Sequence, residues 1–150
     1  MAQTLVSLMV HVVFSTKNRQ LLITPEVEPE LYAHMGGTAN NLGSCCLAAG
    51  GTENHVHLLV SQSKTVPLSH LMEELKKGSS KWIKTKASAF RTFGWQDGYG
   101  AFTIGESQVE ALRLYIARQK ERHKKQTFEE EFILLLKKYH VQYDERYLWS

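Results

Sequence analysis

Of all the residues in this 150-residue sequence, His55 and His57, separated by Val56, are the pair best suited to hold a cation. Side chains alternate along an extended strand, so His55, His57 and Leu59 share one face while Val56, Leu58 and Val60 take the other. A rise of about 3.3 Å per residue sets the two histidine Cβ atoms roughly 6.6 Å apart, close enough for both rings to reach one ion. A half-solvated strand face produces the same pattern, so the pair needs a second chemical element beside it. Leu114-Tyr115-Ile116-Ala117-Arg118-Gln119-Lys120 supplies one. Tyr115 and Gln119 stand four residues apart on a helix, one above the other, amid positive charge. The tyrosine and the glutamine can therefore act on the same object.

The elements that must position these groups follow from periodicity. Leu5 to Lys17 reads as a first strand, with His11 on the face of Met9 and Val13. There His11 is either a strand histidine satisfied by a neighbour or a supporting group for the site. Thr24-Pro25-Glu26 opens a helix expected to run to about Leu42, although Gly36-Gly37 weakens it by up to about 1 kcal/mol per glycine. Ser44 to Ala49 and Asn54 to Ser61 form a hairpin turning at Gly50-Gly51-Thr52, with the histidine pair on its second arm. Pro67 to about Ala89 is a long helix with an apolar stripe from Leu68 to Ile83 and a basic opposite face. A turn at Asp97-Gly98 leads into a fourth strand ending at Ile104. Ser107-Gln108-Val109-Glu110 is a capping box that starts the Tyr115 helix, and Thr127-Phe128-Glu129-Glu130 is another that starts a last helix through about Tyr139. The aromatic tail, Val141 to Ser150, is expected to dock on the core or on a partner subunit. The order implies an α+β fold: a ferredoxin-like β-α-β-β-α-β antiparallel sheet with helices on one face, plus C-terminal helices that carry the tyrosine.

Length and a hydrophobic content of 43% suit one domain spanning 1–150. The longest apolar run, Leu5 to Phe14, is about half the length that spans a bilayer and has no basic stretch before it. Cys45 and Cys46 are adjacent, a spacing that suits neither an ordinary disulfide nor a Cys-x-x-Cys clip. A cytoplasmic protein without a membrane partner is expected. The net charge of +3 is unevenly spread: residues 64–125 carry thirteen Lys and Arg against six Asp and Glu, while the segments on either side are each −2. Such a concentration marks either a phosphate-binding surface or a solvated helix face.

Taken together, His55-Val56-His57 with Tyr115 and Gln119 resembles the single-tyrosine transposases of the HUH superfamily, which move insertion sequences as single-stranded DNA. The likeness also includes Lys17-Asn18-Arg19, Gly50-Gly51-Thr52-Glu53-Asn54, Lys84-Thr85-Lys86, Trp95 to Phe102, and Tyr143 to Trp149. The resemblance implies that His55, His57 and Gln119 bind a divalent cation, Mg2+ or Mn2+, and that Tyr115 is the nucleophile. It implies attack on a single-stranded phosphodiester to give a 5′-phosphotyrosine and a free 3′ hydroxyl, later rejoined without a nucleotide cofactor. It further implies hairpin DNA ends as partners and a homodimer with composite active sites. Lys76, Lys77, Lys81, Lys84, Arg118, Arg122 and Lys124 are the candidate phosphate contacts.

Two other classes fit parts of the pattern. A non-catalytic ferredoxin-like module could bind single-stranded nucleic acid with a structural histidine pair, although the aromatic platform such readers use is not evident on the strands. A metal-dependent hydrolase using water would have little need of Tyr115.

Overall fold

The computed structural model describes residues 2–150. In chain order it has strand β1 (Met9–Ser15), helix α1 (Glu28–Asn41), strands β2 (Cys45–Thr52) and β3 (His55–Ser61), helix α2 (Leu68–Ile83) and strand β4 (Gly100–Ile104). Helices α3 (Val109–Ala117), α4 (Gln119–Arg122), α5 (Phe128–Lys138) and α6 (Glu145–Leu148) follow. The strands form an antiparallel sheet in the order β2-β3-β1-β4. This is the ferredoxin-like α+β arrangement expected from the sequence.

Alternation along β1 and β3 feeds two cores. Val12, Phe14, Val56, Leu58 and Val60 pack on α1 and α2 through Leu31, Met35, Leu71, Met72 and Leu75. On the other face Val13 and Phe102 meet Phe128, Phe132 and Leu135 of α5, while Leu59 meets Leu112 and Ile116 of α3. Cover on both faces explains why the central strands read as nearly continuous apolar runs. It also places α3 to α5 on the histidine face.

Several boundaries differ from expectation, each for a local reason. β1 begins only at Met9, and Leu5, Val6 and Leu8 before it are exposed. Gly50 and Gly51 belong to β2, paired with His57 and Val56, and the turn is Glu53-Asn54. Gly50 serves close packing: a Cβ there would lie 2.4 Å from the Ile116 carbonyl oxygen, so α3 approaches β2 as near as backbone allows. Helix α1 starts at Glu28, after a turn in which Thr24 Oγ1 accepts from the Val27 N–H, and it runs straight through Gly36-Gly37 with nothing packed beside either. Helix α2 ends at Ile83, well before Ala89.

The Ser107 capping box does not form. A 3-10 turn over Glu106–Gln108 leads into α3, and Gln108 Oε1 accepts from the Gly105 N–H. The Thr127 box does form, with Glu130 N–H donating to Thr127 Oγ1 and Thr127 N–H to Glu130 Oε1. The tail folds onto α5 of its own chain, where Trp149 packs on Phe128 and Phe132. Among the described residues no helix is long and apolar enough to cross a membrane.

Candidate metal and tyrosine site

β3 holds His55 and His57 fully buried on the face toward α3 and α5. The helix expected to carry both Tyr115 and Gln119 breaks at Arg118, whose φ of −99° and ψ of 17° separate α3 from α4. The break tucks Gln119 inward until it is 1% exposed, while Tyr115 stays half-buried at the edge. Both side chains still reach one object. That object is Glu131 on α5, a residue the sequence reading passed over.

Glu131 is 2% exposed and uses both oxygens. His57 Nε2 lies 3.0 Å and His123 Nε2 2.9 Å from its Oε1, with His55 Nε2 at 3.6 Å. Its Oε2 accepts from the Tyr115 hydroxyl and from Gln119 Nε2 at 2.8 Å. Burial disfavours its charge, but the close approach of His123 and His57 and the hydrogen bond from Tyr115 outweigh that and hold the carboxyl far below the usual range. The Tyr115 phenol is pushed upward, first by burial and then by its bond to the Glu131 carboxylate. The Arg122 guanidinium lies over the Tyr115 ring at 4.5 Å and opposes the rise.

The signal for Glu131 was in the sequence. Phe128, Phe132, Leu135 and Leu136 make the buried stripe of α5, and Glu131 lies on that stripe, three residues after Phe128 and four before Leu135. A carboxylate on an apolar stripe needs partners to offset its desolvation. Here the partners come from three other elements.

Tautomers follow from the outer partners. His55 Nδ1 is 2.9 Å from Asn54 Oδ1, an acceptor, so Nδ1 carries the proton and Nε2 presents a bare lone pair. That lone pair faces Gln119 Oε1 at 2.9 Å. Gln119 cannot turn its amide without facing Glu131 with oxygen in place of nitrogen. Two acceptors therefore meet with no hydrogen between them, an arrangement that a cation resolves. The donor atoms of His55, His57 and Glu131 lie within 4.8 Å of one another. The residues fit a divalent cation.

His11, 1% exposed on β1, is 2.8 Å from His57 Nδ1 through its Nε2 and so orients that ring. Burial, then the neighbouring His57, lowers the pKa of His11 to about 3, and the same causes lower His55 to about 3. Both rings are neutral when folded and take up protons on unfolding below their reference value of 6.5. Stability of the metal-free protein therefore falls as pH drops from about 6.5 toward 3, by up to about 1.4 kcal/mol per pH unit for each ring. Thermal melts between pH 7 and pH 4 check this; an unchanged Tm would mean that the rings are charged when folded.

The basic candidates fall into two sets on opposite faces of the sheet. Arg118, Arg122 and Lys124 line an open groove of about 960 Å³ that includes Tyr115 and Lys125. Lys77 and Lys81 of α2, and Lys84 just past its end, are exposed to solvent. Lys76 is engaged internally: its ammonium donates to the carbonyls of Gln96 and Gly98, and burial lowers its pKa to about 8. Trp82 leans on the first core and stacks on His34, with Lys86 over its ring.

The chain is thus an α+β protein with a ferredoxin-like sheet, a buried histidine pair, a nearby tyrosine and a basic groove, and comparison with known sequences gives its family. The profile of the family described as Transposase IS200 like matches residues 4–119, and the chain belongs to that family. No curated protein matches the chain. Among solved structures, it is similar to a candidate transposase from Deinococcus radiodurans R1 at 21% identity and a TM-score of 0.62, covering 79% of this chain and 95% of that one. It is also similar to a REP-associated tyrosine transposase bound to a REP hairpin at 13% identity and a TM-score of 0.61, covering 82% of this chain and 73% of that one. Glu131 and His123 lie beyond the matched span.

Proposed function

We propose that this chain, one domain over 1–150 acting in the cytoplasm, is a transposase that cleaves and rejoins single-stranded DNA through a 5′-phosphotyrosine on Tyr115. The observation that carries the reading is the meeting of the Tyr115 hydroxyl, Gln119 and the histidine pair at one buried carboxylate. His55, His57 and Glu131, with Gln119 beside them, would hold a divalent cation, Mg2+ or Mn2+. Such an ion supplies positive charge that favours the phenolate and offsets charge building on the scissile phosphate.

The chain's own groups do the remaining work. Glu131 orients the phenol, whose oxygen bonds to phosphorus as the bond to the 3′ oxygen breaks; the proton the phenol loses is balanced by the one the departing 3′ oxygen gains. Arg122 and Arg118 draw the phosphate into the groove beside Tyr115. His11 keeps the His57 ring turned inward. In the reverse step a 3′ hydroxyl attacks the phosphotyrosine, so rejoining needs no external energy source.

Tyr115 and its partners meet within one chain, which supports a site complete in cis. In a homodimer with composite sites, α3 to α5 would have to cross together, because Tyr115, Gln119 and His123 are all bound to Glu131. The alternative of a nucleic-acid reader working from its sheet surface is disfavoured, because β1 and β3 are covered on both faces.

The hairpin-bound relative suggests hairpin DNA as a partner here too, and the second basic surface, on α2, suits a stem while the groove takes the strand to be cut. The Lys81→Ala and Lys84→Ala double variant should weaken hairpin binding and flatten its salt dependence by about 1.8 log units per log unit of salt, if each lysine touches one duplex phosphate. Filter binding across a salt series checks this; an unchanged slope would return α2 to a merely solvated face. The direct test of the function is to incubate the protein with Mn2+ and labelled single-stranded DNA carrying the hairpin that flanks its gene. A protein-linked band on a denaturing gel is expected, and its absence with DNA that the protein binds would overturn the catalytic reading.

A further inference from the structure

We propose that His123 is a ligand of the same cation, giving the site three imidazoles in place of the two that the His-x-His pair supplies. The proposal rests on the cation reading above.

The first observation is the tautomer of His123. Its Nδ1 is 2.7 Å from the Gln126 carbonyl oxygen, which can only accept, so Nδ1 carries the hydrogen and the neutral ring presents a bare Nε2. That Nε2 lies 2.9 Å from Glu131 Oε1 and 3.0 Å from Gln119 Oε1. Gln119 is held with its oxygen toward His123 because its Nε2 donates to Glu131. Acceptors thus converge at His123 as they do at His55.

The second observation is spacing. Around an ion with ligands at about 2.1 Å, neighbouring octahedral donors stand about 3.0 Å apart. Here the separations are 2.9 Å for His55 to Gln119, 3.0 Å for His123 to Gln119, 2.9 Å for His123 to Glu131 and 3.0 Å for His57 to Glu131. His55 to Glu131, at 3.6 Å, is longer. The third observation is anchoring. His123 closes α4, its N–H bonded to the Gln119 carbonyl, and its side chain is 10% exposed. It stands one turn past Gln119 and just before the cap of α5, so it is held from both sides.

Three imidazoles and a carboxylate favour transition metals over Mg2+, which prefers oxygen ligands. The competing arrangement is a protonated His123 that only pairs with Glu131.

The test uses the metal-free full chain without DNA and Mn2+ as the probe. Calorimetry should find Mn2+ binding in the native protein, none in His57→Ala, and at least about tenfold weaker binding in His123→Ala with an unchanged circular dichroism spectrum. Pulsed electron paramagnetic resonance should count three histidine nitrogens on Mn2+ in the native protein and two in His123→Ala. Equal affinity in the two, or two nitrogens in the native protein, would overturn the role of His123 and leave the cation reading standing. No Mn2+ binding by the native protein would overturn both. If His123→Ala fails to fold, His123→Gln replaces it, and the nitrogen count in the native protein decides by itself.

Discussion

Tyr115→Phe eliminates the protein-linked DNA band while hairpin binding stays within about twofold of the native protein. The substitution removes one oxygen and nothing else. Loss of the Tyr115 hydroxyl should lower adduct formation by at least about 10³-fold. The fold should survive, because Glu131 Oε2 keeps its bond from Gln119 and only one hydrogen bond is lost, at a cost of about 1.5–3 kcal/mol. The phenylalanine ring can still lie under Arg122. The same variant separates the other classes. A binding module would behave as the native protein in every assay, and a water-using hydrolase would still cut without forming a covalent band. A persistent adduct in Tyr115→Phe would remove Tyr115 from the mechanism.

His57→Ala abolishes Mn2+-dependent cleavage while DNA retention at low salt persists. His57 contacts His11 through one ring nitrogen and Glu131 through the other, so its loss takes away a ligand and frees a buried carboxylate from one of its donors. Each removed contact to a charged partner is worth about 1.5–3 kcal/mol, which predicts a lower Tm as well as lost activity. The arginines and lysines of the groove and the lysines of α2 remain in place, so electrostatic binding should continue. Activity assays on native protein and variant with Mn2+, Mg2+ or EDTA check the result. Undiminished cleavage in EDTA would sink the metal reading whatever the variant does.

Periodicity was enough for the sheet. Alternation in β3 and the helical stripes of α2 and α5 are local patterns, and the resulting order of elements was legible before any contact was known. Boundaries were less legible where tertiary packing overrode local preference. Gly50 looked like a turn residue because glycine is common in turns, yet its missing side chain accommodates the backbone of α3. Ser107 looked like a cap, but a 3-10 turn ahead of α3 closes through Gln108.

The site divides in the same way. Types and spacing within short stretches carried His55, His57, Tyr115 and Gln119, because ligands two or four residues apart on a strand or helix share a face. Glu131 and His123 were hidden by distance along the chain: Glu131 stands 74 residues from His57, and nothing in the sequence relates their positions. The break at Arg118 bent the tyrosine segment, and the Thr127 cap started α5 at the phase that aims Glu131 inward. By itself the sequence determined the sheet, the histidine pair, the tyrosine and the concentration of positive charge. Only the tertiary structure decided that one buried carboxylate gathers them, because a charge among apolar helices is stable only where enough donors converge, and convergence belongs to the fold and not to any single stretch of chain.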